Sequence, residues 1–188
     1  MSSNIQIAYG TPTALTITVA SLASSLLAGR ESTAVDNTSG GGTTGLMDDA
    51  EIVAKLKMGG SAPTGDIYLA VTSAPDGTLY GTPATGSDAG ITLARTIPWD
   101  FLEDLRERGA TGLRLPGTGM YYLGKIDCYG VASGATLIGT FGSIAAALGA
   151  QKLPEKWGIA VFNQTGAALD STGGNHTIKY TGSYITAS

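Results

Sequence analysis

Nucleophilic catalysis on a side chain needs a nucleophile and a base within reach of each other. The chain has one histidine, His176, and one cysteine, Cys128. A Ser-His-Asp triad would have to use His176, and a Cys-His pair would need both. His176 stands in "GGNHTIKY", at the mouth of a strand, and reads as a loop-edge side chain. Cys128, in "KIDCYG", reads as a small buried hydrophobe. One histidine and one cysteine are too few for a structural zinc site. "MDDAE" groups Asp48, Asp49 and Glu51, oxygen ligands of the kind calcium takes. The EF-hand spacing is absent, so the group reads as a charged loop ahead of a strand. "GGGTTG", residues 40–45, matches G-x-G-x-x-G letter for letter. A phosphate cradle needs a helix directly after it. The next residues here are "LMDDAEIVAKLKM", a strand pattern, so the match reads as a glycine loop. Nothing among the fifteen acidic residues selects a carboxylate pair for glycoside hydrolysis. The expectation is a protein that is not an enzyme, with no cofactor and no metal.

The elements that would position these residues are strands. In "TALTITV", Leu15, Ile17 and Val19 alternate with threonines. In "EIVAKLKM", Ile52, Ala54, Leu56 and Met58 face one way, and Glu51, Lys55 and Lys57 the other. "DIYLAVT" repeats the pattern with Ile67, Leu69 and Val71, and Pro75-Asp76-Gly77 marks a turn after it. Further strands are predicted at 5–9, 32–35, 91–95, 121–129, 135–141, 157–162 and 176–186. Trp157, Ile159 and Val161 share one face, and Gly158, Ala160 and Phe162 the other. Both faces are apolar, which predicts a central strand. One helix is predicted in "IPWDFLEDLRERG", with Pro98 opening it and Gly109 closing it. Many short strands bounded by turn residues predict an all-β fold, an antiparallel β-sandwich of jelly-roll type with one or two short helices. Residues 1–188 form one domain, with 1–9 as an N-terminal arm or edge strand. The core is expected from Leu15, Ile17, Ile52, Leu56, Ile67, Leu69, Val71, Ile126, Phe141, Trp157, Ile159, Val161, Ile178 and Tyr180.

Composition narrows the partners. Charged residues are 14% of the chain, against roughly 25% in an average soluble domain. The net charge is -4, and no basic patch is visible, so nucleic acid is not an expected partner. The start "MSSNIQIAYG" lacks a basic region leading into an apolar run, so no secretory leader is expected. "ALTITVASLASSLLAG" is too short and too rich in Ser and Thr to cross a bilayer, so no membrane is expected. Asn37, Asn163 and Asn175 head N-x-[ST] sequons and read as turn residues. A neutral, small-featured surface suits a protein held in an assembly.

Three segments occur together in order: "TALTITVASLASSLLAGRESTAVDNTS", "DIYLAVTSAPDGTLYG" and "LPEKWGIAVFNQTGAALDSTGGNHTIKYTGSYITA". The combination resembles a group of small proteins of tailed bacteriophages, described as virion structural proteins. Its most specific parts are "AGRESTAVDN" and "WGIAVFNQTGAALDSTGGN". "IPWDFLEDLRERGATGLRLPG" matches least. The resemblance carries no catalytic motif. It implies a structural protein of the virion. A small, β-rich, acidic domain without DNA-binding charge is expected as a decoration or cement protein on the outer head, bound to the major capsid protein and, because shells offer three-fold sites, to itself as a trimer. A tail, neck or baseplate component is the alternative, with tail proteins as partners. A carbohydrate-binding module using Trp99, Tyr121 and Tyr122 as its platform is a third reading. The contact elements expected are residues 1–9, with Ile5, Ile7 and Tyr9, able to add a strand to a neighbour's sheet. The helix is expected to add Trp99, Leu102 and Leu105.

Overall fold

Alternating apolar residues make a strand that buries one face, and two such sheets must then cover each other. A computed structural model describes residues 5–38, 46–74, 81 and 83–187. Its strands are β1 (Ile5–Tyr9), β2 (Thr13–Ala14), β3 (Ala28–Glu31), β4 (Val35–Asp36), β5 (Asp49–Lys57) and β6 (Ile67–Ala74). They continue with β7 (Gly90–Thr92), β8 (Tyr121–Ile126), β9 (Thr136–Phe141), β10 (Lys156–Asn163) and β11 (Thr177–Ala187). Two helices, α1 (Trp99–Glu107) and α2 (Ile144–Ala147), complete the fold. The predicted turn at Pro75-Asp76-Gly77 and the glycine loop at 40–45 lie outside the described residues.

All pairings between the named strands are antiparallel. One sheet runs β1-β11-β5-β9, with β2 also on β11; the second runs β7-β3-β10-β6-β8, with β4 also on β10. Take β1, β3, β5, β6, β8, β9, β10 and β11 as the principal strands in chain order. The first sheet is then ordered first, eighth, third, sixth, and the second sheet second, seventh, fourth, fifth. That is the strand order of a jelly roll, in which the chain crosses repeatedly between two packed sheets. The expected antiparallel sandwich is therefore the fold. Residues 83–120, between β6 and β8, belong to an insertion into it that carries β7 and α1.

The sandwich interior joins Ile52, Leu56, Phe141 and Ile178 of the first sheet to Ile67, Leu69, Val71, Trp157, Ile159 and Val161 of the second. Ile17 and Tyr180, also expected in the core, are only partly buried against it. A second apolar cluster lies on the other face of the second sheet. There Tyr68, Ala70, Ala160 and Phe162 meet Ile91, Leu93, Trp99, Leu102, Leu115 and Met120 of the insertion. The second sheet is thus covered on both faces. This is why β6 is buried at every position and β10 at all but the first, and why β10 lies between its neighbours rather than at an edge.

Two sequence expectations shift. Residues 15–19 do not form a strand beyond Ala14. Leu15 N–H still donates to Ile178 of the first sheet, but Thr16 accepts from Thr33 N–H, and Thr18 is tied to Asp88. The segment crosses from one sheet to the other, and its alternation serves to bury Leu15 and Val19 in the gap. Of the strand expected at 32–35 only Val35 is in a strand: β3 ends before it at Glu31 and β4 starts at Val35, and the two pair with successive parts of β10. The helix begins one residue later than expected, with Pro98 at its N-cap. It ends as expected, with Gly109 at φ +85°. Ala110 and Gly109 donate to Leu105 and Arg106, closing the last turn as a Schellman motif.

Asn163, fully buried at the end of β10, donates to the carbonyls of Leu22 and Ala167 and accepts from Thr165 N–H and Oγ1. Replacing it by Ala leaves the buried Thr165 N–H without an acceptor, whereas the Leu22 and Ala167 carbonyls keep Leu169 N–H and Thr165 Oγ1; one such unpaired group costs about 1–3 kcal/mol. Asn163→Ala is expected to lower unfolding stability in urea by about 1–3 kcal/mol. Gln164→Ala, next to it and part-exposed, should stay within about 0.5 kcal/mol of the parent.

Candidate interaction surfaces

The residues with catalytic potential are held in separate local roles. Cys128 is fully buried, its thiol donating to the Ile126 carbonyl at 3.3 Å, and burial pushes its pKa up to about 11. His176 uses both ring nitrogens within the fold. Nδ1 accepts from Lys57 N–H at 3.3 Å, and Nε2 lies 2.8 Å from the Asp170 carbonyl, so Nε2 carries the proton it donates there. No hydrogen bond joins the two residues. Asp48 and Asp49 accept from backbone N–H groups, Asp48 from Ile185 and Asp49 from Ala50 and Ala145. Glu51 points outward from β5. Among the described residues, no group of three His, Cys, Asp or Glu side chains converges.

Polar residues in and beside β3, β4 and the turn at 170–175 clasp loops to the sandwich. In "AGRESTAVDN", Glu31 has no exposed surface and its carboxylate accepts from Thr85 N–H, Thr85 Oγ1 and Gly86 N–H. Arg30 pairs with Asp88 at 2.9 Å. Together they fix residues 85–88 against β3. Asn37, buried after β4, exchanges hydrogen bonds with Met47 and donates to Pro154. At the other end, Asn175 donates to Asp170 at 2.8 Å. With Thr172 N–H and Lys57, that bond holds the Asp170 carboxyl down to about 2. All three sequon asparagines therefore act as turn ties, as the sequence reading expects.

The insertion is fastened in the same way. Trp99 stacks on Tyr68 with ring centroids 4.8 Å apart, and tilts against Phe162 and Tyr122. Glu103 receives two bonds from Arg106, at 2.8 and 2.6 Å, and one from Tyr122 Oη at 2.8 Å. The Arg106 guanidinium foremost, then Tyr122, hold the Glu103 carboxyl below its ordinary range despite burial. This corrects the contact face expected on the helix. Trp99 and Leu102 are 3% and 6% exposed, because three-residue spacing turned them onto the second sheet rather than outward. Leu105 is half-buried, and the apolar side chain α1 does present is Phe101. The carbohydrate platform loses the same residues, since Tyr122 is buried and Tyr121 only partly exposed.

The other expected contact element stands at the surface. Ile5, Ile7 and Tyr9 are 76%, 64% and 71% exposed. As an arm, residues 5–9 do not reach out alone; β1 pairs with β11 of its own chain, Ile7 opposite Ile185. Ile185 is 62% exposed and joins the same outer face. The sequence reading missed Ile185, Ile138, Phe101 and Tyr129, all exposed large side chains. Ile185 was legible as the alternate of Ile178 along one strand, whereas Phe101 was hidden by choosing the wrong helix face. No helix among the described residues is long and apolar enough to cross a membrane. Comparison of the chain with protein-family models, curated proteins and solved structures finds no match.

Two outcomes test these roles. A buried thiol held protonated is a poor nucleophile. Cys128 should stay unreactive toward an aromatic disulfide reagent at pH 8 and react once per chain in urea. Glu103 is ionised in the fold below the pH at which it protonates when unfolded, so its contribution is complete above about pH 4.5 and is lost as pH falls through the lower folded value. Acid titration should therefore red-shift the tryptophan emission as Trp99 is uncovered. Glu103→Gln should weaken the cap already at pH 7 and remove that part of the acid transition.

Proposed function

We propose that the chain is a non-enzymatic structural protein of a bacteriophage virion, a decoration or cement protein on the outer surface of the head, bound to the major capsid protein. The observation that carries this reading is where the polar side chains go. In the segments that resemble phage virion proteins, Arg30, Glu31, Asn37, Asn163, Asp170 and Asn175 are engaged within the fold. What remains outside on β1 and on the end of β11 that pairs with it, residues 183–187, carries no charge, and Ile5, Ile7, Tyr9 and Ile185 are exposed there. A surface of that kind gains by burying area against protein, not by holding a substrate. A cement acts by spanning subunit boundaries, and a contact of roughly 800 Å² per partner, repeated over a shell, is enough for specific attachment.

Quantitative mass spectrometry of purified particles checks this. Hundreds of copies per particle, with heads that break at lower temperature when the protein is removed, are the expected result. A few to a few dozen copies, with intact heads but lost tails or adsorption, would instead assign the protein to the tail, neck or baseplate.

A further inference from the structure

β1 is an edge strand, and its sequence IQIAY contains none of the devices that usually guard an edge. There is no lysine, no proline and no charge, and among the described residues no strand pairs with its outer side. The margin farthest from β1 in its sheet is closed differently. At the β8–β9 margin, Gly124 and Gly139 let the strands close on Phe141 and Ile126: a Cβ at either glycine would lie within 3.0 Å of those side chains. On β1's own side, residues 15–18 cross between the sheets.

The hydrogen-bond phase of β1 can be read from its partner. Ile185 N–H donates to Asp48, on the β5 side of β11, while Gly182 accepts from Gly10 on the β1 side. Even-numbered residues of β11 therefore bond toward β1, and in β1 the bonding residues are Gln6 and Ala8. The N–H and C=O groups of Ile5, Ile7 and Tyr9 point to the open edge. These same residues place their side chains on the exposed face.

We infer that β1 pairs antiparallel with β1 of a second copy of this chain, about a two-fold axis at Ile7. In that register Ile7 lies opposite Ile7 of the partner subunit, and Ile5 opposite Tyr9 of the partner subunit. All are hydrogen-bonded positions, so the open backbone groups at Ile5, Ile7 and Tyr9 are met. The side chains form one continuous strip with Ile185 flanking it. A neutral strand meeting itself brings no like charges together, and it offers a charged partner nothing to pair with. Pairing covers the strand edge and brings the flanks of Ile5, Ile7 and Tyr9 against their counterparts across the axis, where aromatic and β-branched cross-strand pairs are favourable. Pairing about a two-fold axis closes with two copies, in place of the trimer expected from sequence. It is independent of the virion assignment.

Light scattering on the purified chain tests it, with two variants. The parent should run at twice the 19.0 kDa chain mass. Ile7→Lys sets two ammonium groups against each other and should give a monomer with unchanged circular dichroism, weakening association at least tenfold. Opposed hydrogen-bonded positions have Cα atoms ~5.5 Å apart, within disulfide reach. Ile7→Cys should then form a covalent dimer on mild oxidation, with Cys128 buried and uninvolved. A parent that stays monomeric at high concentration overturns the inference, as does an Ile7→Lys dimer. If Ile7→Lys fails to fold, Ile7→Cys decides alone, and absence of the crosslink overturns the register and the inference. A monomeric parent whose Ile7→Lys variant no longer binds particles would show that a shell or tail protein occupies the edge instead.

Discussion

The structure depends on the need to cover β10 and β6 from both sides. These strands are apolar on both faces, and a sheet containing them is stable only as a middle layer. The first sheet covers one face through Ile52, Leu56 and Ile178. The insertion between β6 and β8 covers the other through Trp99, Leu102, Leu115 and Met120. The jelly roll alone supplies two layers, and the third comes from residues 91–120, between β6 and β8. Full burial of a large apolar side chain contributes roughly 1.5–3 kcal/mol. The cap is therefore integral to the stability of the sheet that it covers.

A chain with so few charges places its well-buried carboxylates where a loop must be tied to a strand. Glu31 holds residues 85 and 86, and Glu103 holds Arg106 and Tyr122. Burial of a charge is tolerated only with several donors present, and both sites provide at least three. Among the described residues, three buried side-chain atoms lack a partner: Thr72 Oγ1, Trp99 Nε1 and Trp157 Nε1. The indole nitrogens belong to rings whose packing dominates, Trp99 on Tyr68 and Trp157 edge-on to Tyr180.

Much of this fold was legible because period-two alternation names both a strand and its buried face. β5 follows the pattern residue by residue, and the doubly apolar face of "WGIAVFN" placed β10 in the centre. Crossing segments were harder to read. Residues 15–19 alternate like a strand, yet their backbone partners lie in two sheets, and alternation reports burial rather than ladder pairing. The helix failed for a different reason. Spacing identifies an apolar face without saying whether it meets the core or a partner, and a sheet that was already apolar on both sides needed that face for itself. The edge residues Ile5, Ile7 and Tyr9 were identified because no turn or charge interrupts them. Their partner strand in the same chain, β11, was not legible, since pairing is a property of topology.

Edges are where a sandwich either ends or continues. The corner between β8 and β9 ends it, because glycines at 124 and 139 let side chains from one sheet seal the margin of the other. β1 does neither. It adds Ile5–Tyr9 to the far end of β11, beyond the point where β5 stops pairing at Asp49, so the ribbon has one neighbour on each strand at most. A two-stranded ribbon alone is marginal in water, and this one carries exposed Ile5, Ile7, Tyr9 and Ile185 on one face. Its free energy improves with any strand that completes it. IQIAY carries no charge, so nothing in β1 keeps such a strand away.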